Sequence, residues 1–291
     1  MIEHYYTWHE SIQWLKEQPD QQEFIKNIYC DTPILTAAQR FAATEEWQAV
    51  RSFFPRAARA LDIGAGQGIS SYALAREGWQ VTALDPDASP LVGTQAIRTL
   101  AHESALPIQI VQSYAETLPF ADCTFELVYG RQVLHHAQDI AVFCQEVARV
   151  LKPGGRFIIT REHVISSRED LAVFLATHPL HKLHGSENAF LLKEYIQSIT
   201  ATGLRIIKTL KPFSSVINYY PMCHEQMVMM YRTALCRRLG ATIAQILTDE
   251  HHIVGTWMLK VLAEYFSRRS NTPGRMYSFI AEKPLICRVF S

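Results

Sequence analysis

The stretch Ala60-Leu61-Asp62-Ile63-Gly64-Ala65-Gly66-Gln67-Gly68-Ile69-Ser70 decides the fold. It reads as a buried strand, a glycine-rich turn and the first turn of a helix. A second apolar run, Val81-Thr82-Ala83-Leu84, ends on an acid, Asp85. A glycine turn after one strand and an acid at the tip of the next form a nucleoside-binding crevice. Gly64, Gly66 and Gly68 allow positive φ and a close approach of backbone to ligand. Asp85 is placed to accept hydrogen bonds from ribose hydroxyls, with Pro86 flanking the base.

Two ligand classes share this architecture. The dinucleotide fingerprint is G-x-G-x-x-G, its third glycine lying at the helix–strand contact. Here that position is Ile69, and the glycines run Gly64-x-Gly66-x-Gly68. An acid, Asp62, also lies inside the end of the first strand. A pyrophosphate wants backbone N–H groups and a helix N-terminus without a nearby negative charge. A carboxylate there suits a cationic ligand. S-adenosylmethionine carries an ammonium and a sulfonium, so the turn suits it better than a nicotinamide dinucleotide.

Around this stretch, residues 58–160 alternate short β-rich runs with helical periods, the signature of a parallel sheet with crossover helices. Strands are predicted over 59–63, 80–84, 108–112, 124–129, 155–161, 204–210 and 276–283. Lys152-Pro153-Gly154-Gly155 reads as a helix stop and turn before the fifth strand. Residues 8–52 read as helices, 162–190 as a polar, histidine-rich loop or short helices, 191–202 as a helix and 221–270 as almost wholly helical. No internal repeat is visible.

Several landmarks follow the glycine turn in order. They are Ala83-Leu84-Asp85-Pro86-Asp87, Ala115-Glu116-Thr117-Leu118-Pro119-Phe120-Ala121-Asp122 and Phe125-Glu126-Leu127-Val128-Tyr129. The series closes with Val133-Leu134-His135-His136 and Val150-Leu151-Lys152-Pro153-Gly154-Gly155-Arg156. Together with Leu61–Gly68 they make the chain resemble a class I S-adenosylmethionine-dependent methyltransferase of the quinone-biosynthesis and small-molecule group. The match spans about residues 58–160 and fades beyond 165. The resemblance implies an α/β, Rossmann-like, seven-stranded and mostly parallel sheet flanked by helices, with a last antiparallel strand. It implies a helical cover over residues 1–55, a cofactor-binding core over 56–165, and the last strands over 166–291. A helical insertion, 217–272, would split the final hairpin near the acceptor pocket.

The resemblance also assigns roles. Asp62 would hold the methionine ammonium, and Gly64, Gly66 and Gly68 would make room for the methionine part. Asp85 would take the ribose diol, although it could equally cap a helix starting near Pro86. In the adenine-contacting loop the usual acid is replaced by Tyr114, leaving the Ala115 backbone and Glu116 as the contact, with a surface acid as the competing reading of Glu116. Gly130 and Arg131, just after the fourth strand, are expected near the cofactor. Arg40 is a candidate partner for the cofactor carboxylate, or an exposed helix arginine. His135, His136 and His163 are candidate bases for an acceptor hydroxyl; loop ordering is the competing role for His135 or His136. His178, His181 and His184 could bind acceptor or simply be solvated. A metal set is not expected, because three ligands at that spacing would converge only from a loop and no cysteine or carboxylate completes it. The Met- and Tyr-rich stretch from Tyr219 to Tyr231 reads as core, or as an apolar wall for the acceptor.

Composition narrows the rivals. Lys plus Arg and Asp plus Glu are both 28 among 291 residues, so the formal net charge is zero. That disfavours a nucleic-acid substrate, as does Tyr129-Gly130-Arg131-Gln132 where an N-P-P-Y-type motif would stand. The six cysteines form no C-x-x-C pair, so reduced thiols and a cytoplasmic location are the default. Neither a signal peptide nor an apolar run of about 18 residues is present, so no membrane span is expected. The expected partner is a small-molecule acceptor. A nicotinamide-dependent oxidoreductase and a non-catalytic S-adenosylmethionine-binding protein stay as alternatives. The sequence leaves acceptor and oligomeric state open.

Overall fold

A computed structural model describes residues 5–285 of the chain. Its centre is an eight-stranded sheet: β1 Arg59–Ile63, β2 Gln80–Leu84, β3 Ile108–Val111, β4 Phe125–Arg131, β5 Leu151–Ile165, β6 Phe190–Leu191, β7 Arg205–Leu210 and β8 Arg275–Glu282. The order is β3-β2-β1-β4-β5-β8-β7, with the two-residue β6 beside β5. β8 runs antiparallel to both β5 and β7, and the other pairings are parallel. The strand order reverses between β1 and β4. Ligands of open α/β sheets bind outside the carboxyl ends of the strands at such a switch point.

Alternation along the strands builds two cores, one on each face. Leu61 and Ile63 of β1 join Phe157 and Ile159 of β5 in one cluster. Ala60, Leu127, Tyr129 and Ile158 point to the other face, against Phe41, Trp47 and Tyr72. Parallel strands covered on both faces read as near-continuous apolar runs, which is why β1 and β2 were legible. The crossover helix Ile140–Val150 starts on Asp139, whose side chain accepts from the N–H groups of Ala141 and Val142.

The N-terminal region forms helices Trp8–Glu17, Gln22–Asn27, Ile34–Ala42 and Glu45–Arg51; the last two pack onto the second core, while Ile12, Leu15 and Ile25 of the first two form a separate cluster with Val92 and Leu180. A reciprocal cap opens the first of these: Thr7 Oγ1 accepts from Glu10 N, and Glu10 accepts from Thr7 N. Ala37, Ala38 and Phe41 form the buried stripe of the third. The Trp47 ring meets Tyr129 edge to face at 5.7 Å, which fixes the cover to the sheet.

Two expectations are corrected. Lys152–Gly155 is not a turn ahead of the fifth strand. The preceding helix ends at Val150 and β5 begins at once with Leu151. Gly154, at φ +78°, and Gly155 pair with Lys283, just past β8: Gly154 N donates to Lys283 O at 2.7 Å, and Lys283 N donates to Gly155 O at 2.9 Å. No helix starts near Pro86 either. Asp85 instead accepts from Asp87 N, an Asx-type turn, and the helix begins at Thr94.

Between β7 and β8 lie helices Val216–Tyr219, His224–Leu239, Ala241–Leu247 and Ile253–Arg269. They close around Met227, Tyr231 and Leu262, with Met222, Met230 and Phe266 against them. Among the described residues no helix is long and apolar enough to cross a membrane.

Candidate functional site

At the carboxyl end of β1 the chain turns through Gly64, Gly66 and Gly68, at φ +66°, +57° and +89°. Gly68 then opens the helix Ile69–Arg76. L-residues other than glycine seldom adopt this region. Asp85, at the end of β2, ties the turn down: its Oδ2 accepts from Gly66 N at 2.8 Å and its Oδ1 from Asp87 N at 2.9 Å. Burial outweighs those hydrogen bonds and pushes the Asp85 carboxyl up to about 7.

Asp62 is buried beneath the same turn. Its Oδ2 accepts from Ser70 Oγ at 2.8 Å and Ser71 Oγ at 2.5 Å. Its Oδ1 has no hydrogen-bond partner. Burial raises this carboxyl to about 6, with both serines pulling the other way. A buried, unsatisfied carboxylate oxygen is costly unless a donor meets it. The absent side chain of Gly64 is used by the protein itself, since a Cβ there would lie 2.1 Å from Val133 Cγ2. Gly130 carries the same constraint: a Cβ would lie 2.7 Å from Val133 Cγ1 and from Ile159 Cδ1.

A second group of polar side chains begins two residues beyond Val133. Glu162 of β5 accepts from three successive backbone N–H groups, those of Val133, Leu134 and His135, at 3.1, 3.2 and 2.9 Å. It also holds His135 Nδ1 at 2.7 Å. His163 Nδ1 donates to Gly274 O at 2.9 Å. The β5–β8 ladder shifts register between Ile159 and Glu162, and Arg161 sits at φ +62° within that shift. Such an irregularity re-aims side chains, and here Glu162 and His163 both reach His135, whose ring centroid is 4.7 Å from that of His163.

Glu187, almost fully buried, stands at the centre. His135 Nε2 and His136 Nε2 lie 3.5 and 3.9 Å from its Oε2. His184 Nε2 and His178 Nδ1 lie 3.6 and 3.9 Å from its Oε1. Burial disfavours an imidazolium at His135, but Glu162 and Glu187 overcome that and raise it to about 9. Burial and the neighbouring His135 hold His163 well below its ordinary value.

With this geometry established, comparison with known proteins identifies the frame. Residues 61–159 match the model of the methyltransferase domain family. The ubiquinone biosynthesis O-methyltransferase of Rhizobium leguminosarum bv. trifolii (strain WSM2304) is 32% identical over 152 residues, 51% of this chain and 59% of that protein. Over residues 61–159 the chain is similar to methyltransferase domains. The chain spans less than two thirds of that relative. Among solved structures, the [4+2]-cyclase SpnF superposes with a TM-score of 0.55 at 19% identity, over 86% of this chain and 82% of that one. Geranyl diphosphate C-methyltransferase from Streptomyces coelicolor A3(2), a complex with Mg2+, geranyl diphosphate and S-adenosyl-L-homocysteine, gives 0.56 at 12% identity, over 87% and 85%. At those identities both likenesses speak to the fold alone.

The ends of β1 and β2 bring Asp62, Gly64, Gly66, Gly68 and Asp85 to one crevice, with Pro86 next to Asp85. Gln112 Nε2 donates to Pro86 O at 3.2 Å, which joins the third strand's end to the same rim. Glu116 is not a free rim acid, because its Oε1 accepts from Gln138 N at 2.9 Å; Ala115 beside it is half-buried and packs on the first core. Arg40, a candidate for the cofactor carboxylate, is paired with a resident acid. Its Nη1 and Nη2 are bound to Asp31 at 2.8 and 2.5 Å, so the cofactor carboxylate would compete with a resident one. Arg131 is likewise committed: Nε and Nη2 grip the buried Glu46 at 2.8 and 3.1 Å, with the rings of Tyr29 and Phe41 alongside. This ion pair joins the domain to its N-terminal cover.

The sequence reading missed Glu46, Glu162 and the centring of Glu187. A signal was present for Glu162, since Arg161-Glu162-His163 places three polar residues just after the apolar run Phe157-Ile158-Ile159. His178, His181 and His184 do not act as a set: the first and third approach Glu187, while the His181 ring lies 6.3 Å from that of Tyr5.

Proposed function

We propose that this chain transfers a methyl group from S-adenosylmethionine to a small or medium-sized acceptor, of natural-product, quinone-, lipid- or saccharide-like type. The observation that carries this is Asp62 Oδ1, buried and unpartnered beneath the Gly64–Gly68 turn. It fits an ammonium donor and would repel a pyrophosphate. When bound, S-adenosylmethionine supplies a methyl carbon made electrophilic by its sulfonium. Asp62 accepts from the ammonium, and Ser70 and Ser71 keep its carboxylate oriented. A carboxylate has about four lone-pair sites, so Asp85 can accept from ribose hydroxyls while still bound to Gly66 and Asp87 N–H. Pro86 and the Ala115–Glu116 loop form the base side.

Catalysis by such a site is mostly positioning. Holding donor and acceptor in line removes much of the entropic barrier. Val133 is the physical link between the two halves, since its side chain fills the space over Gly64 and its N–H is held by Glu162. The acceptor therefore belongs on the histidine side. Of the three base candidates, His135 and His163 are enclosed, whereas the His136 side chain is 30% exposed. His136 is the most open of the three toward an acceptor hydroxyl; its Nδ1 donates to Ser186 O at 3.2 Å, and burial together with His135 lowers it to about 4, a weak base.

The test is calorimetric titration with S-adenosylmethionine and S-adenosylhomocysteine, on wild type and on Asp85→Ala. Micromolar binding that the substitution abolishes is expected. A folded wild type that binds neither would overturn the proposal and favour the nicotinamide alternative.

A further inference from the structure

The histidine cluster carries more order than proton transfer needs. His135 has Nδ1 fixed by Glu162 at 2.7 Å, and His163 has Nδ1 fixed by the Gly274 carbonyl at 2.9 Å. Metal-bound imidazoles are typically held this way, with one nitrogen on a carboxylate or backbone carbonyl and the other aimed at the ion. The donor atoms of His135, His163 and Glu187 lie within 4.8 Å of one another, and all three residues are buried. Ligands of a tetrahedral zinc at about 2.0–2.1 Å sit about 3.4 Å apart. The His135 Nε2 to Glu187 Oε2 separation of 3.5 Å already matches.

The polar accounting points the same way. Glu187 Oε2, His184 Nε2 and His178 Nδ1 are buried without hydrogen-bond partners. Clustered unsatisfied groups of this kind call for a bound species. Two buried carboxylates, Glu162 and Glu187, meet here, and among the described residues neither has a lysine or arginine within ion-pairing distance.

We propose that His135, His163 and Glu187 bind a divalent first-row transition metal, zinc foremost. Two imidazoles and a carboxylate are a borderline-soft set that suits zinc, iron, cobalt or nickel, whereas magnesium wants oxygen ligands. His184, 3.6 Å from Glu187 with its Nε2 unpaired, is the nearest further donor. Glu162 is a positioning residue that sets the His135 ring. His136, partly exposed and 3.9 Å from Glu187, marks the route from solvent. A remaining coordination position would hold an oxygen of the acceptor beside Val133. The sequence reading expected no metal set here; the carboxylate of this one is Glu187, with His135 from the loop after β4 and His163 from β5. That use of the metal rests on the methyl-transfer proposal; the metal site itself does not.

The experiment uses the full chain, stripped with a chelator, dialysed and titrated with Co2+ and Zn2+. Expected are visible d–d absorption on cobalt addition, saturation at one equivalent and displacement by zinc. Glu187→Gln and His163→Ala, shown folded by circular dichroism, should weaken zinc more than about 100-fold. Glu162→Gln should weaken it about 10–100-fold, the usual cost of losing an outer-shell partner. Wild type that binds neither ion overturns the proposal, whatever the variants do. So does wild-type zinc affinity in folded Glu187→Gln and His163→Ala, which would place the ion elsewhere. Because this readout needs no S-adenosylmethionine, its failure is distinguishable from failure of the cofactor titration.

Discussion

Gly64→Ala tests whether the turn is shaped by its own packing as well as by a ligand. Alanine at φ +66° stays in the left-handed region, at about 1–2 kcal/mol. The new Cβ would lie 2.1 Å from Val133 Cγ2 and 2.8 Å from Val133 Cβ. Overpacking of this degree costs about 1–3 kcal/mol, so the substitution should destabilise by about 2–5 kcal/mol. Val133→Ala alone removes two methyl groups, about 1.6 kcal/mol at full burial. In the double variant the 2.1 Å overlap disappears, while the backbone strain and the 2.8 Å approach stay. The double variant should therefore be more stable than the sum of the singles predicts, by about 1–2 kcal/mol. Urea unfolding followed by circular dichroism reads this, and about 3 kcal/mol shifts the midpoint by about 1 M when the slope is near 3 kcal/mol per molar. A Gly64→Ala midpoint at the wild-type value, or a strictly additive cycle, refutes the reasoning.

Two further outcomes follow from the buried charges. Asp85 is raised from 3.8 to about 7 in the folded chain. Between about pH 4 and 7 the folded state then holds a proton that the unfolded chain has released, so stability falls as pH rises through that window, by at most about 4 kcal/mol. Urea midpoints across that range should flatten in Asp85→Asn relative to wild type; an identical slope in both would show that Asp85 titrates normally. Arg131→Ala leaves Glu46 buried without its partner, a loss of about 3–5 kcal/mol. Adding Glu46→Gln should restore part of it, and thermal unfolding that shows no such restoration would mean the pair does not hold the cover to the sheet.

What the chain alone determined was everything set by local pattern. The alternation of apolar runs, the positive-φ glycines and the acid after Leu84 place β1, β2 and the crevice between them, because strand period and turn chemistry act over a few residues. The ends of β3, β4, β7 and β8 were legible to within two residues for the same reason. Beyond local pattern, pairing partners decided. Lys152–Gly155 looks like a turn by composition, yet Lys283, just past β8, supplies the hydrogen bonds that draw it into β5. Arg40 and Arg131 looked available for a ligand, yet Asp31 and the buried Glu46 hold them, and no spacing rule connects residue 46 to residue 131. The histidine cluster is the clearest case. His135, His163 and Glu187 come from a loop after β4, the bulged part of β5 and the segment before β6. Only the register shift in β5 and the packing of that segment bring their donor atoms together, because a metal-sized site is defined by distances in space that separations along the chain do not encode.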